Sequence, residues 1–394
     1  MSTATPHTGF GSIPSPEAED TGMRSGSDGV LLFCVIALMV FGCLAVYSSI
    51  AYFAENRGET AGAFLFKHGF KLSLAFITMF VAAKVNYRIV AEWSKVVLIV
   101  SWVLLIWVSY NGVEVHGAKR SLSLAGVAFQ PSSVAMVALL MYLCHMMFQK
   151  RTYIEDFGKS FFPALFWICG TALFVGLEDF SSAALILLLS FIMMFVGRMS
   201  VKHLGLLVLS GALLGGLLVS QTQERQSRLN NYVNQVLNIQ SSQLVGNPGG
   251  YQAQQAHIAI ARGGLLGVGV GKSTQRDFLP APYNDFIYAI IAEEYGLLGA
   301  FALLLIYVVI LIRGVIFIAN RARDDLGAYM AMACTITIVV YGLVNAAVAT
   351  GLFPVTGLPM PFISYGGTSM LTAGFMMGVL MNISKHRREE HEDA

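Results

Sequence analysis

The sequence predicts an all-α integral membrane protein of about ten transmembrane helices, with one long extracytoplasmic loop between the seventh and the eighth. Three observations predict it. Of 394 residues, 56% are hydrophobic and 12% charged, with a mean hydropathy of +0.65, where soluble domains carry about 25% charge. Apolar runs of spanning length, roughly 20 residues, recur along the chain. Basic residues gather in alternate connections between those runs, as they do on the inner side of a membrane.

Residues 1–29 are polar and rich in Gly, Ser and Pro. They lack a basic start followed by a short apolar core and cleavage site, so a disordered cytoplasmic tail is expected rather than a cleaved signal. A ten-helix domain is expected over 30–384 and a second cytoplasmic tail over 385–394. The first run, 30–53, offers Gly42, Ser48 and Ser49 as small positions for close packing. A second covers 69–83, just after Lys67 and His68, and a third 96–108, with Lys84, Arg88 and Lys95 as a basic turn between them. The polar stretch 109–131 carries one charged knot, Lys119–Arg120. Run 132–148 leads to Lys150, Arg151 and Lys159. Runs 161–177 and 182–196 are split only by Glu178, Asp179 and Phe180. Arg198 and Lys202 precede run 203–220, where Gly211, Gly215 and Gly216 would admit a close neighbour.

Residues 221–284 form the long loop, with YQAQQAHIAIAR (251–262) as a short helix inside it. A loop this long is expected to be a functional cap or partly helical. Run 286–318 is too long for one simple crossing, and Glu293 and Glu294 near its start point to a protein interior rather than lipid. After Arg321, Arg323, Asp324 and Asp325, run 329–350 crosses again. The stretch 351–367, GLFPVTGLPMPFISYGG, has too many prolines and glycines to be a regular helix. At membrane depth it must be buried in protein or line a wet cavity. Run 368–383 is the last, followed by Lys385, Arg387 and Arg388. With the N-terminus in the cytoplasm, the basic turns fall inside, and the long loop, Lys119–Arg120, Asp285 and 351–367 all fall on the outer face.

Asp285 therefore stands at the outer mouth of a membrane helix. Two readings of it stand: a helix cap, and a general base whose partial burial would bring its pKa toward neutrality. Glu293 and Glu294 lie eight and nine positions later, about 12 to 14 Å along a helix. That is too far for a carboxylate pair with Asp285, and they read as structural acids. Lys119 and Arg120 would hold a lipid phosphate or diphosphate, or would snorkel at the interface. Glu178–Asp179 would bind a cation or cap a helix end, with the cap favoured. GVGVGKS (267–273) fails as a phosphate loop, because position 266 is Leu where Gly is needed. No nucleotide or nucleic-acid partner is expected. Cys34, Cys43, Cys144, Cys169 and Cys334 all sit in apolar runs without metal-ligand spacing and read as small buried side chains.

Several motifs taken together carry a family resemblance. They are GAKR (117–120), QPS (130–132), YQxxQxxIAI (251–260), GGLLGVGVGKS (263–273), FLPAPYNDFIYAIIAEEYGLLG (278–299) and GLFPVTGLPMPFISYGGTS (351–369). In this order they make the chain resemble the SEDS membrane glycosyltransferases of bacterial cell-wall synthesis, whose members include the division protein FtsW and the elongation protein RodA. The resemblance runs from the first helix to the last. It implies the SEDS fold and a polymerase that joins lipid II units into glycan strands on the outer face of the cytoplasmic membrane. It implies that Asp285 deprotonates the acceptor sugar's 4-hydroxyl. That oxygen would then attack the anomeric carbon of the lipid-linked strand with inversion, and undecaprenyl diphosphate would leave. Lys119 and Arg120 would bind that diphosphate. Tyr251, Gln252, Gln255, Pro280, Ser364 and Tyr365 would line the cleft, and Asp179, Glu293 and Glu294 would be structural or cation-related acids. A divalent cation, Mg2+ or Mn2+, would assist, although no cofactor is required by the sequence and no ligand set is legible. The expected partners are lipid II with the growing strand, a class B penicillin-binding protein supplying transpeptidation, and other division proteins.

The chain departs from the family pattern at two places. Ser133 follows QPS where Glu is usual, and EDFSS (178–182) replaces PD(L/F)GT while keeping Asp179. The polar tail and GLFPVTGLP favour the division-type member over the elongation type. Two other functions compete: a transporter that flips lipid II, and a division scaffold without catalysis.

Overall fold

The computed structural model describes residues 28–56, 61–115, 118–124, 127–221, 223, 225–227, 230, 232–233, 248–279 and 282–386. The expected tails fall almost wholly outside this range. In chain order the helices are α1 (Gly29–Asn56), α2 (Ala61–Ala82), α3 (Tyr87–Asn111), α4 (Pro131–Gln149), α5 (Phe162–Glu178), α6 (Phe180–Val196) and α7 (Val201–Ser220). They continue with α8 (Pro248–Gly263), α9 (Ile287–Ile312), α10 (Asp325–Ala349) and α11 (Thr368–Lys385). Among the described residues, eight helical segments are long and apolar enough to cross a membrane. α6 is apolar but shorter, at 17 residues, and α11 has 18 and is largely buried. These ten correspond to the ten expected runs, and α8 to the helix expected within the long loop.

Hydropathy placed two helix starts too late. α2 begins at Ala61, not 69, so Lys67, His68 and Lys71 lie within it. Their polarity is masked by aromatic neighbours: Lys67 lies over Phe64 and Lys71 over Tyr365. α3 begins at Tyr87, not 96, because the Asn86 side chain caps it by accepting from Arg88 N at 3.0 Å. Arg88 and Lys95 are thus on a helix rather than in a turn. Arg88 reaches Asp324, and Lys95 lies over the Trp167 ring.

The stretch 109–131 holds an element the sequence analysis did not anticipate. β1 (Val113–Val115), β2 (Ala118–Leu124) and β3 (Val127–Phe129) form an antiparallel sheet in the order β1-β2-β3. Glu114 pairs with Lys119, and Leu122 with Phe129. Strands of three residues give too short an alternation to stand out beside long apolar helices.

α4 and α10 form the inside of the bundle. Of their most apolar windows 72% and 61% are buried, against 17% for α7 and 28% for α3. α2 packs along α11, α3 along α4, α5 along α6, and α8 along α9. Gly216 of α7 faces open space, so the close neighbour expected there is absent among the described residues, while Gly211 touches Leu187. The run 286–318 is broken as its length implied. α9 kinks at Gly296 (φ 68°), and Ile287–Glu294 before the kink are buried. A loop of five glycines, 263–271, zips onto that kink: Val268 N donates to Glu293 O (2.9 Å), Gly269 N to Glu294 O (3.0 Å) and Leu297 N to Gly264 O (2.9 Å). The segment 351–367 contains no regular helix and threads through the protein, with Leu358, Met360, Phe362, Ile363 and Ser364 buried. That is the first of the two environments open to such backbone at membrane depth.

One end of the bundle is tied together by polar contacts. Asp28 N donates to Ser384 Oγ (3.2 Å), Tyr87 N to Asn382 Oδ1 (3.2 Å) and Arg88 Nη2 to Asp324 (2.6 Å), and Arg313 pairs with Asp28 (3.8 Å). α1 therefore begins where α11 finishes. Asp285, the sheet, the start of α4 and the start of α11 gather at the opposite end, as helix alternation requires.

Candidate active site

At that opposite end lies a cavity of about 180 Å³. Its walls include Ser121 of β2, Ser133 of α4, Asp179 at the start of α6, Asn284, Gly357 and Tyr365. Ligand pockets usually begin at about 300 Å³, so the cavity in this state is small.

Asp285 follows Asn284 of that wall. The residue is half-buried, in the turn before α9. Its carboxylate lies against Gly357, where an added Cβ would be 3.5 Å from Oδ2. Gly357 has φ +72°, a conformation that glycine adopts without strain. The turn is fixed from three sides by backbone contacts. Asn345 Nδ2 of α10 donates to Asp285 O (3.0 Å) and to Leu358 O (2.9 Å). Ser364 Oγ donates to Asn284 O (2.7 Å) and accepts from Met360 N (2.8 Å). Tyr365 N donates to Tyr283 O (2.9 Å). The N-cap of α9 is Phe286, with no side-chain cap bond, so Asp285 does not serve as the helix cap.

Asp179 takes the cap position. Its carboxylate caps α6, accepting from Ser181 N (3.0 Å), Ser182 N (3.2 Å) and Ser182 Oγ (2.9 Å), and it also lines the cavity. The serines of EDFSS thus supply the cap donors locally. Glu178 is turned elsewhere, accepting from Ser109 Oγ at 3.2 Å. Lys119 and Arg120 lie on β2, whose Ser121 reaches the cavity wall, but their side chains lie outside the described residues, as does Pro280.

Glu293 and Glu294 are structural. Glu293, wholly buried, accepts from Ser273 Oγ (2.5 Å), Thr274 N (3.2 Å) and Gln275 N (3.3 Å) and lies 3.9 Å from Arg262. Glu294 accepts from the Ser48 hydroxyl. The pair clamps the loop after α8 onto α9 and α1. Tyr251, Gln252 and Gln255 are half-buried on α8, which packs on α9, and they are not in the cavity wall.

Sequence reasoning missed what surrounds Tyr365. Its ring stacks on His68 (5.5 Å) and meets Tyr283 edge-on (5.6 Å), with Lys71 Nζ 3.6 Å from its centroid. A desolvated cation–π contact contributes about 2 kcal/mol, less than the several kcal/mol that removing an ammonium from water costs. The only sequence signal was the i, i+4 spacing of Lys67 and Lys71 inside an apolar run.

The fold defines a class, an all-α membrane protein with the RodA architecture. The structure superposes on Thermus thermophilus RodA with a TM-score of 0.65 at 21% identity, covering 93% of this chain and 99% of that one. It superposes on a chain of a peptidoglycan synthase complex, solved for its coordination of polymerization and crosslinking, with a TM-score of 0.72 at 23% identity over 91% and 98%. Residues 29–389 match the model of the FtsW/RodA/SpoVE family, described as cell cycle protein. The chain belongs to this family. It is 32% identical to stage V sporulation protein E of Bacillus subtilis over 375 residues, 93% of this chain and 100% of that protein. It is 32% identical to the peptidoglycan glycosyltransferase MrdB of Escherichia coli K12 over 369 residues, 92% and 94% of the two chains. It is 30% identical to a probable peptidoglycan glycosyltransferase FtsW of Geobacter metallireducens over 362 residues, 91% and 94%.

Proposed function

We propose that the chain is a peptidoglycan glycosyltransferase that polymerises lipid II with inversion, releasing undecaprenyl diphosphate. The relatives named FtsW and MrdB support the enzyme class. The observation that carries the mechanism is Asp285, its backbone held by Asn345 and its carboxylate seated against Gly357, a residue of the cavity wall. In the proposed reaction its carboxylate takes the proton of the acceptor's 4-hydroxyl as that oxygen bonds to the anomeric carbon, and the diphosphate departs with the electron pair. The backbone turn aims the acid without using its oxygens as cap acceptors. Lys119 and Arg120, on the strand whose Ser121 faces the cavity, would neutralise charge on the leaving diphosphate. Mg2+ or Mn2+ would assist in stabilising that diphosphate.

The active end faces the outside of the cytoplasmic membrane, because the basic connections lie at the other end. A class B penicillin-binding protein and other division proteins are the proposed partners, at the septum. A chain of a peptidoglycan synthase complex as structural neighbour supports such pairing. The division role rests on the polar tail and GLFPVTGLP, since identity to the MrdB and FtsW relatives is nearly equal.

The test is glycan synthesis from lipid II by the purified chain with its penicillin-binding partner. Wild type should give glycan ladders, and Asp285→Asn should lower the rate at least about a hundredfold. Ladders unchanged by Asp285→Asn would remove the base assignment. No ladders, together with lipid II reorientation across vesicles, would favour the transporter.

A further inference from the structure

α2 carries three nitrogen-bearing side chains, Lys67, His68 and Lys71, within five positions of a membrane-spanning segment. Lys71 lies over the Tyr365 ring, and among the described residues no carboxylate pairs with it. His68 is wholly buried, and neither of its ring nitrogens has a hydrogen-bond partner. Ionisable residues within a membrane segment, as Lys71 and His68 are, mark ligand paths. Tyr365 is the wall between these groups and the cavity, since it contacts His68 and Lys71 and also lines the cavity.

On the polymerase reading, two lipid-linked molecules meet at Asp285, each carries a diphosphate, and only one diphosphate leaves. The leaving one is assigned to Lys119 and Arg120, so the other needs cations of its own. We propose that Lys71, with His68 and Lys67, binds the diphosphate of the acceptor lipid, and that the Tyr365 ring turns aside to admit it. The ammonium groups and imidazole supply N–H donors to phosphate oxygens, replacing a single ring face as the partner of Lys71. Because the cavity is small as it stands, a movable wall also eases entry.

The experiment uses the full chain carrying Lys119→Ala and Arg120→Ala, so that only the α2 site remains. Undecaprenyl diphosphate should bind this background at least about tenfold more tightly than neutral undecaprenol. Adding Lys71→Met should abolish that preference, and Lys71→Arg should retain it. No preference in the background, or a preference that survives Lys71→Met, overturns the proposal. In polymerisation with the otherwise wild-type chain, Lys71→Met should raise KM for lipid II about tenfold with kcat within about twofold. A fall in kcat at unchanged KM overturns the acceptor assignment. If the wild type makes no glycan, the polymerase reading and the acceptor assignment fall together, and the binding comparison alone decides whether α2 holds a diphosphate site.

Discussion

Asn345 donates from one side-chain nitrogen to two carbonyls, those of Asp285 and Leu358. It thereby joins the turn that carries the acid to the segment that carries Gly357, which lies under the acid. Asn345→Leu keeps the volume and removes the donor, leaving two inward-facing carbonyls unpaired at about 1–3 kcal/mol each. The expected outcome is a lower melting temperature in detergent together with a loss of glycan synthesis. Wild-type melting and activity would refute the positioning role. Asp285 itself was legible in the sequence, because an acid at the junction of a polar loop and an apolar run is a local feature. Asn345 was not, since it lies 60 residues away in an apolar helix. Neither Gly357 nor Lys71 is marked by local composition as a neighbour of the site.

Among the elements, the kinked α9 and the glycine loop make one unit. Gly296 has a positive φ, and a Cβ there would meet Gly267 N at 2.4 Å and Leu265 O at 2.4 Å. Gly263 is tighter still, with Ala292 O at 1.9 Å. Backbone on both sides cannot yield as a side chain would. Gly296→Ala should therefore cost more than the roughly 1 kcal/mol of an ordinary glycine substitution at positive φ, read as a fall in melting temperature and in the yield of folded protein. A neutral Gly296→Ala would show that the loop is not seated on the kink. The run of glycines is plain in the sequence, but its partner is the carbonyl edge of a helix more than twenty residues further on, which no local pattern reveals.

For the molecule as a whole, the end opposite the cavity is locked by Asp324. It caps α10 through Gly327 N (2.8 Å) and accepts from Tyr87 Oη (3.0 Å) and Arg88 Nη2 (2.6 Å). Burial pushes its pKa up, but the hydrogen bonds from Gly327, Arg88 and Tyr87 outweigh burial and leave it below the ordinary 3.8. A lowered pKa means that the folded state releases this proton more readily than the unfolded chain. The stabilisation is therefore present above the unfolded value and is lost as pH falls through the folded one. At neutral pH Asp324→Asn should melt below wild type, and the gap should narrow as pH drops below about 4. A gap that stays constant into acid would mean that the charge on Asp324 contributes nothing to the lock.

The division between sequence and structure follows from what each property depends on. Partition between water and lipid is set by composition over about 20 consecutive residues. The linear chain therefore determined the membrane class, the ten apolar runs and the alternation of basic turns, and it left 351–367 either buried in protein or at the wall of a cavity. It also brought out Asp285, which sits where one such run begins. Contacts between distant helices depend on packing and not on local composition. Only the tertiary structure decided that Phe286 rather than Asp285 caps α9, that Glu293 and Glu294 hold a loop, that Tyr251, Gln252 and Gln255 stand away from the cavity, and that Lys71 and His68 of α2 meet Tyr365 beside it. The small sheet that carries Lys119 and Arg120 belongs to the same group, because its strands are too short to announce themselves and are defined by their pairing.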